Sequence, residues 1–330
     1  MKASSGDGTS PEFMAALRSR AAGRAAVSFE TFMDVALYDP GVGYYRGPGT
    51  RIGYSPGADF LTATSSAPLF GRLVAEACAA LLSPADAGRF EFVEVGAERG
   101  ACVLDGVAHA FRSARTAGIG QELRLEGPTV VFSNELFDAQ PFRRFRRRQG
   151  RWREIGVIIG PQLAMAELET MAPLPFELPA DAPEGYLIDA PFLAAALCGA
   201  IARQPWTGLF LALDYGKTWE ELSRHAPNGT ARSYRMHVQG SDLLESPGAQ
   251  DLTCHVCWDW LSSGLRSAGF DEPTLESQES FFTLRAGDFI GSYAAAHAGD
   301  RSREKLSLLQ LLHPANLGQS FQALWSRRIA

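Results

Sequence analysis

The stretch Phe90 to Arg112, F-E-F-V-E-V-G-A-E-R-G-A-C-V-L-D-G-V-A-H-A-F-R, decides how the rest of the chain is read. It opens with Phe and Val around Glu91 and closes at Glu94-Val95-Gly96, the pattern of a short strand. After a brief loop, Val103, Val107 and Phe111 recur at a spacing of four, which predicts a helix opened by Gly100. Strand, glycine turn and helix make the first unit of a nucleotide-type α/β sheet. In such sheets glycines let the backbone close tightly and a ligand approach it, and an acid near the strand end, here Glu94, can hydrogen-bond a ribose or an amine. Two glycines in such a turn also serve packing alone, so the loop by itself does not fix a function.

Composition narrows the class. A chain of 330 residues with 46% hydrophobic side chains buries one large core or two modest ones. The formal charge of -6 and a pI near 5.6 argue against a general nucleic-acid binder, which carries a basic excess. No apolar run approaches the roughly 18 to 20 residues of a membrane span. Five scattered cysteines (Cys78, Cys102, Cys198, Cys254, Cys257), mostly in apolar surroundings, fit reduced thiols of a cytosol better than a disulfide framework. A cytoplasmic location is expected. The Arg- and Ala-rich run from Arg18 to Ala26 resembles a mitochondrial presequence but lacks its Ser-rich extension.

In chain order, residues 1–14 are polar and aperiodic and read as an expression leader outside the fold. Ser28 is placed to cap a helix with Phe29, Phe32, Met33 and Ala36 on one face, ending at Asp39-Pro40-Gly41. A Gly- and aromatic-rich loop follows, of the length and kind usually functional. A helix is then expected from Ala67 to Leu82. Further on, Thr129 to Phe132 and Leu209 to Leu213 read as buried strands, Ala190 to Ala202 and Trp258 to Ala268 as helices, and Phe281 to Leu284 as a strand.

Several motifs occur together in this order: Y-D-P-G-V-G-Y-Y from Tyr38, G-A-D-F-L-T-A from Gly57, V-E-V-G from Val93, S-N-E-L-F-D-A-Q-P from Ser133, D-Y-G from Asp214, G-T-A-R-S-Y-R-M-H from Gly229, S-P-G-A-Q-D-L-T-C-H-V from Ser246 and H-P-A-N-L-G-Q-S-F from His313. Together they closely resemble the MidA-like family, which includes a mitochondrial complex I assembly factor that methylates arginine. The resemblance runs from about Ser28 to Trp325. It implies an α/β class I (Rossmann-like) methyltransferase fold, S-adenosylmethionine (SAM) as cofactor, and protein arginine as methyl acceptor. On the cofactor it places Asp59, Thr62, Glu94, Gly96, Gly100, Glu126 and Asn134.

Three departures fall on the cofactor side. The family's G-x-G-x-G reads Gly96-Ala97-Glu98-Arg99-Gly100 here, so Glu98 puts bulk and negative charge where a carboxylate-bearing ligand should approach. The family's T-A-P-E reads Thr62-Ala63-Thr64-Ser65, without the glutamate. Finally, too few residues separate Gly96 from Asn134 to hold two helices and two further strands, since one parallel crossover takes a dozen or more. Glu122 to Glu126 is either a remnant second strand, with Glu126 as its acid, or a connector. The sheet is therefore expected to be truncated between its first and fourth strands.

The acceptor side is better kept. Ser133-Asn134-Glu135 ends a strand on the ligand edge, and Glu135 and Asp138 are spaced to share one face of a helical turn. Two such carboxylates can hold a guanidinium and accept its proton; acids at a helix start also occur for dipole reasons alone. Asp214 ends the next strand, where capping the following turn is its structural role. Tyr234, Arg235, His237 and His255 border the cleft in the resemblance, the tyrosine and arginine toward substrate and the histidines toward catalysis. Cys254 and Cys257 have no second cysteine pair, and on a strand they face opposite sides, so no metal site is expected. Seven arginines lie between Pro141 and Arg153, around a turn at Gln149-Gly150. They read as a hairpin with a solvated basic face, the other reading being docking of an acidic partner.

The expected architecture is thus residues 15–89 as N-terminal helices and Gly-rich loop, and residues 90–330 as a methyltransferase-like domain with an insertion at about 142–185 and C-terminal helices. The expected function is SAM-dependent methyl transfer to a protein arginine or a small-molecule nucleophile. The alternative is a member that has lost its SAM site and acts as a binding or assembly factor, or as an acid-base enzyme on a small molecule. Neither a nucleic acid nor a membrane is expected as partner, and a homodimer is left open.

Overall fold

Short strands with apolar faces build the frame, and the computed structural model describes it over residues 9–47, 68–97, 101–235, 238–297, 308, 311–312 and 321–329. In chain order the strands are β1 (Ala26–Ser28), β2 (Glu91–Val95), β3 (Ser113–Ala117), β4 (Gly127–Asn134), β5 (Arg143–Arg148), β6 (Arg151–Ile159), β7 (Leu163–Glu167), β8 (Leu187–Ala190), β9 (Trp206–Asp214), β10 (Gly216–Lys217), β11 (Arg232–Arg235), β12 (Val238–Gly240), β13 (Asp251–Thr253), β14 (Val256–Cys257), β15 (Thr274–Ser277) and β16 (Gln322–Arg328). Around the strands lie helices α1 (Pro11–Ala21), α2 (Phe29–Tyr38), α3 (Leu69–Leu82), α4 (Phe192–Ala202), α5 (Trp258–Ser267) and α6 (Gln278–Arg285).

The main sheet has the order β15-β16-β9-β4-β2-β3. Strands β3, β2, β4 and β9 run parallel, whereas β16 is antiparallel to β9 and β15 to β16. Strands β4 and β9 are continuous apolar runs because both faces of the sheet are covered. Phe70, Leu73 and Val74 of α3, with Phe281 and Phe282 of α6, pack on one face. Ala194 and Cys198 of α4, with Leu261 and Leu265 of α5, pack on the other. Parallel direction brings Val95, Ala117, Asn134 and Asp214 to one edge, where open α/β sheets bind ligands.

This is the class I methyltransferase arrangement, truncated beyond β3 among the described residues. The second strand is Ser113–Ala117, and Glu122 to Glu126 is only a connector into β4. Glu126 therefore stands at the start of β4, the opposite end from the ligand edge, and is not the ribose acid. The sequence concealed β3 because S-A-R-T-A is a polar edge strand whose Arg115 pairs with Glu91 at 3.2 Å.

The helix expected after Gly100 does not form. Residues 101–112 are turns and extended chain, with Gly106 at φ +71. Asp105 accepts the Cys102 N–H at 2.8 Å, and Val103, Leu104 and Phe111 are buried beneath α3. A methyl group on Gly71 of α3 would lie 2.0 Å from the Val103 carbonyl oxygen. The two backbones touch so closely that the side-chain shell of another helix has no room there.

Two smaller expectations also change. Helix α1 starts at Pro11, with Ser10 accepting the Phe13 N–H, and Phe13 packs edge-on against Phe32. The fold thus begins ahead of the expected boundary at residue 14. Phe281 to Leu284 lies in α6 rather than a strand, capped by Ser277. The insertion forms a second sheet of order β1-β6-β5-β8, with β7 also on β6. Its hairpin turns at Gln149-Gly150, both at positive φ as a two-residue turn requires.

Candidate active site

At the end of β4 the chain makes a sharp bend. Glu135 adopts φ +50, a left-handed conformation that costs a non-glycine residue about 1–3 kcal/mol. Its N–H donates to the Leu213 carbonyl on β9 at 2.9 Å. The following turn is held by Asp214, whose Oδ2 accepts the Phe137 and Asp138 N–H groups at 2.9 and 3.3 Å and whose Oδ1 accepts the Tyr215 N–H at 2.9 Å. The residues 135–138 form this turn, not the helical turn expected. With both oxygens engaged by backbone, Asp214 positions the other two carboxylates.

Glu135, Asp138 and Asp214 have no ion pair among the described residues, and Asp138 Oδ1 is buried without a hydrogen-bond partner there. Burial comes first in raising all three. Glu135 is pushed up to about 8, with the Asp138 charge adding to burial. Asp138 rises to about 6, while a hydrogen bond with the Tyr215 hydroxyl pulls it back. Asp214 is raised well above the carboxylate range by burial and Asp138. Carboxyls desolvated in this way hold their protons to higher pH than free ones and favour a cation as partner.

Tyrosines surround the acids. Tyr38 and Tyr45, from the motif at the start of the Gly-rich loop, stack at 5.5 Å. The Tyr38 hydroxyl donates to the Ala139 carbonyl and the Tyr45 hydroxyl to Asp251 Oδ1, both at 2.9 Å. Tyr234 is raised by burial and by Asp138, and its hydroxyl meets Gln239 at 3.1 Å. His255 lies edge-on to Tyr215 at 5.7 Å; burial, then Lys217 and Arg232, lower it to about 4, so its imidazole is neutral. Its Nδ1 is buried without a partner among the described residues, as is Thr253 Oγ1.

Of the residues expected at the site, Glu135, Asp138, Asp214, Tyr234 and His255 come together. Arg235 does not: it alternates to the other side of β11 and meets Ser246 at the surface. Asp59, Thr62, Gly100 and His237, with Glu98, lie outside the described residues. Tyr38, Tyr45 and Tyr215 were missed as site residues, although the Y-D-P-G-V-G-Y-Y and D-Y-G motifs carried them; a tyrosine gains meaning only when the acid beside it is known.

The cofactor side divides in two. Gly96, at φ +85, closes β2 beside β4, and the side-chain oxygens of Ser133 and Asn134 at the end of β4 are buried without partners among the described residues. These orphaned polar atoms fit the polar amino-acid end of SAM. The ribose end fits less well, because β3 ends in Ala117-Gly118 and offers no carboxylate. Glu94 is engaged inside the chain: Oε2 accepts the Val103 N–H at 2.6 Å, and burial raises it to about 7. It ties the loop down rather than facing a ligand.

Comparison with known proteins agrees with this frame. Residues 119–273 match the profile of a family described as "Putative S-adenosyl-L-methionine-dependent methyltransferase". The chain is 22% identical to the mitochondrial protein arginine methyltransferase NDUFAF7 of Danio rerio, over 93% of this chain and 88% of that one. A COG1565 superfamily crystal structure from Burkholderia thailandensis, bound to S-adenosyl-homocysteine, superposes with a TM-score of 0.80 at 23% identity, covering 97% of this chain and 95% of that one. A native structure of a COG1565 protein from the same organism gives 0.77 at 22% identity, covering 97% and 94%. Over residues 119–273 the chain thus matches a family of S-adenosyl-L-methionine-dependent methyltransferases, and over nearly its whole length it shares the fold of the COG1565 structures.

Proposed function

We propose that this protein transfers a methyl group from SAM to a guanidinium nitrogen of a protein arginine. The observation that carries the reading is the half-buried Glu135 beside the buried Asp138, without a cationic partner among the described residues and bordered by tyrosines. Planar guanidinium suits such a pair, since it donates to two carboxylates at once while its face meets aromatic rings. The relative from Danio rerio, named as a protein arginine methyltransferase, supports the same acceptor.

Gly96, Ser133 and Asn134 would hold the amino-acid end of the cofactor. When bound, SAM supplies a methyl on a sulfonium, whose C–S bond breaks as the N–C bond forms. Glu135 and Asp138 orient the acceptor nitrogen, and orientation provides much of the rate of such a displacement. The proton released from that nitrogen passes to the Glu135 carboxylate. The Tyr215 hydroxyl positions Asp138, and Asp214 fixes the turn that carries both acids.

Titration calorimetry with SAM, followed by mass spectrometry of arginine peptides incubated with protein and SAM, tests the reading. Micromolar binding and a gain of one methyl on arginine are expected; no heat at millimolar SAM removes the proposal. The incomplete ribose end leads to a second expectation. A Cβ at Gly118 would meet only Ala97 O at 3.5 Å and Gln121 Oε1 at 3.9 Å, so a side chain is accommodated. Gly118→Asp is expected to tighten SAM by about tenfold, the worth of one hydrogen bond to a charged group. Unchanged or weaker affinity in the same titration would mean that the ribose does not reach the end of β3.

A further inference from the structure

The tip of the β5–β6 hairpin gathers charge that the fold does not need. Its register sets Arg146 opposite Arg153 and Arg148 opposite Arg151, and directly opposed residues of paired strands point to the same face. Arg148 meets Glu167 at 2.8 Å, while Arg146, Arg151 and Arg153 have no ion pair among the described residues. Like charges directly opposite each other destabilise a strand pair. The arginines lower further down the hairpin are different: Arg143 and Arg144 are buried and paired with Glu154 and Asp189.

A solvated face that only keeps the protein soluble does not account for this arrangement. Solubility improves as net charge moves away from zero, and these arginines pull a chain of formal charge -6 toward zero. We propose that the face carrying Arg146, Arg148, Arg151 and Arg153 is a docking surface for an acidic segment of a partner protein. Guanidinium groups pair with carboxylates in a two-pronged fashion, which removes the mutual repulsion of the opposed pairs.

The alternative polyanion, a nucleic acid, fits less well. Single-stranded nucleic acid is bound by basic residues interleaved with aromatic platforms. Here Phe145 and Trp152 sit opposite Glu154 and Arg147 on the other face; Phe145 is fully buried, and Trp152 donates to the Pro179 carbonyl. The acidic remainder of the chain also repels a long polyanion, whereas a short acidic segment meets only the local patch within a Debye length of about 8 Å.

Fluorescence anisotropy with a labelled peptide of eight glutamates tests the surface, using the full chain, and a ten-nucleotide oligouridylate serves as competitor. Saturable binding that weakens with salt is expected, reduced by about tenfold or more in Arg146→Thr/Arg153→Thr, the loss of about one charged pair per substitution. The same variant should melt at or above the temperature of the parent, because a repulsive pair has gone, and should keep the parent's SAM isotherm. No saturable peptide binding at low salt overturns the proposal, as does undiminished binding by the variant or tighter binding of the oligouridylate. None of these outcomes bears on methyl transfer, which rests on other residues.

Discussion

Glu135→Gln is expected to lower the rate of methyl transfer by about 10²–10⁴-fold, the usual worth of a positioned proton acceptor, while SAM affinity measured by calorimetry stays within a factor of two or so, since the carboxylate faces the acceptor. Glutamine keeps the size and one hydrogen-bond acceptor of the side chain but cannot take the proton. The pH profile provides the sharper check. Glu135 sits at about 8 because burial and the Asp138 charge favour its protonated form, whereas in the unfolded chain it titrates near 4.3. Arginine binding therefore displaces a proton, and the kcat/KM of the parent should rise with pH up to about 8, whereas the variant, left with Asp138, should level off above about 6.

The same shift has a consequence for stability. Between the unfolded and folded values, the native state holds a proton that the unfolded state has released, so stability falls as pH rises through that window. The contribution is fully present below about 4.3 and is lost as pH passes about 8. Glu135→Gln should therefore melt above the parent at pH 8 and close to it at pH 4. A variant with parent-like turnover, or one less stable at pH 8, would show that Glu135 has another partner in solution and is not the proton acceptor.

Long apolar runs and the motif series carried most of the architecture at the level of sequence. Strands β4 and β9 are visible because both of their faces are buried, so Val, Phe and Leu follow one another without interruption. The acids at their ends were equally legible, since position at a carboxyl edge needs only the strand. What was not legible depended on contact. The Val103, Val107, Phe111 spacing is helical, but the close approach of Gly71 to Val103 overrode it. Strand β3 is polar, and its membership of the sheet comes from pairing with β2 rather than from its own side chains. The roles within the carboxylate cluster were hidden for a similar reason: nothing in the order of residues says that Asp214 gives both oxygens to backbone N–H groups while Asp138 keeps one free.

Asp189→Ala is expected to destabilise the protein by about 3–5 kcal/mol, because it strands a buried guanidinium. Asp189 Oδ1 receives Arg144 Nε at 2.7 Å, and both side chains are almost wholly buried. Oδ2 also accepts the Thr230 and Ala231 N–H groups, each at 2.8 Å. The loop so held leads into β11 and Tyr234, and the Thr230 hydroxyl accepts the His255 N–H at 3.1 Å. One carboxylate thus joins the arginine hairpin sheet to the wall of the acceptor pocket, and its loss should weaken arginine-peptide binding as well as the fold. Arg144→Met should cost less, since Asp189 would retain two backbone donors and methionine fills the apolar stem's place against Phe29. Urea unfolding of the two variants checks the order; if Arg144→Met proves the more damaging, the loop at Thr230 is held by contacts other than Asp189, and the link from hairpin to pocket fails.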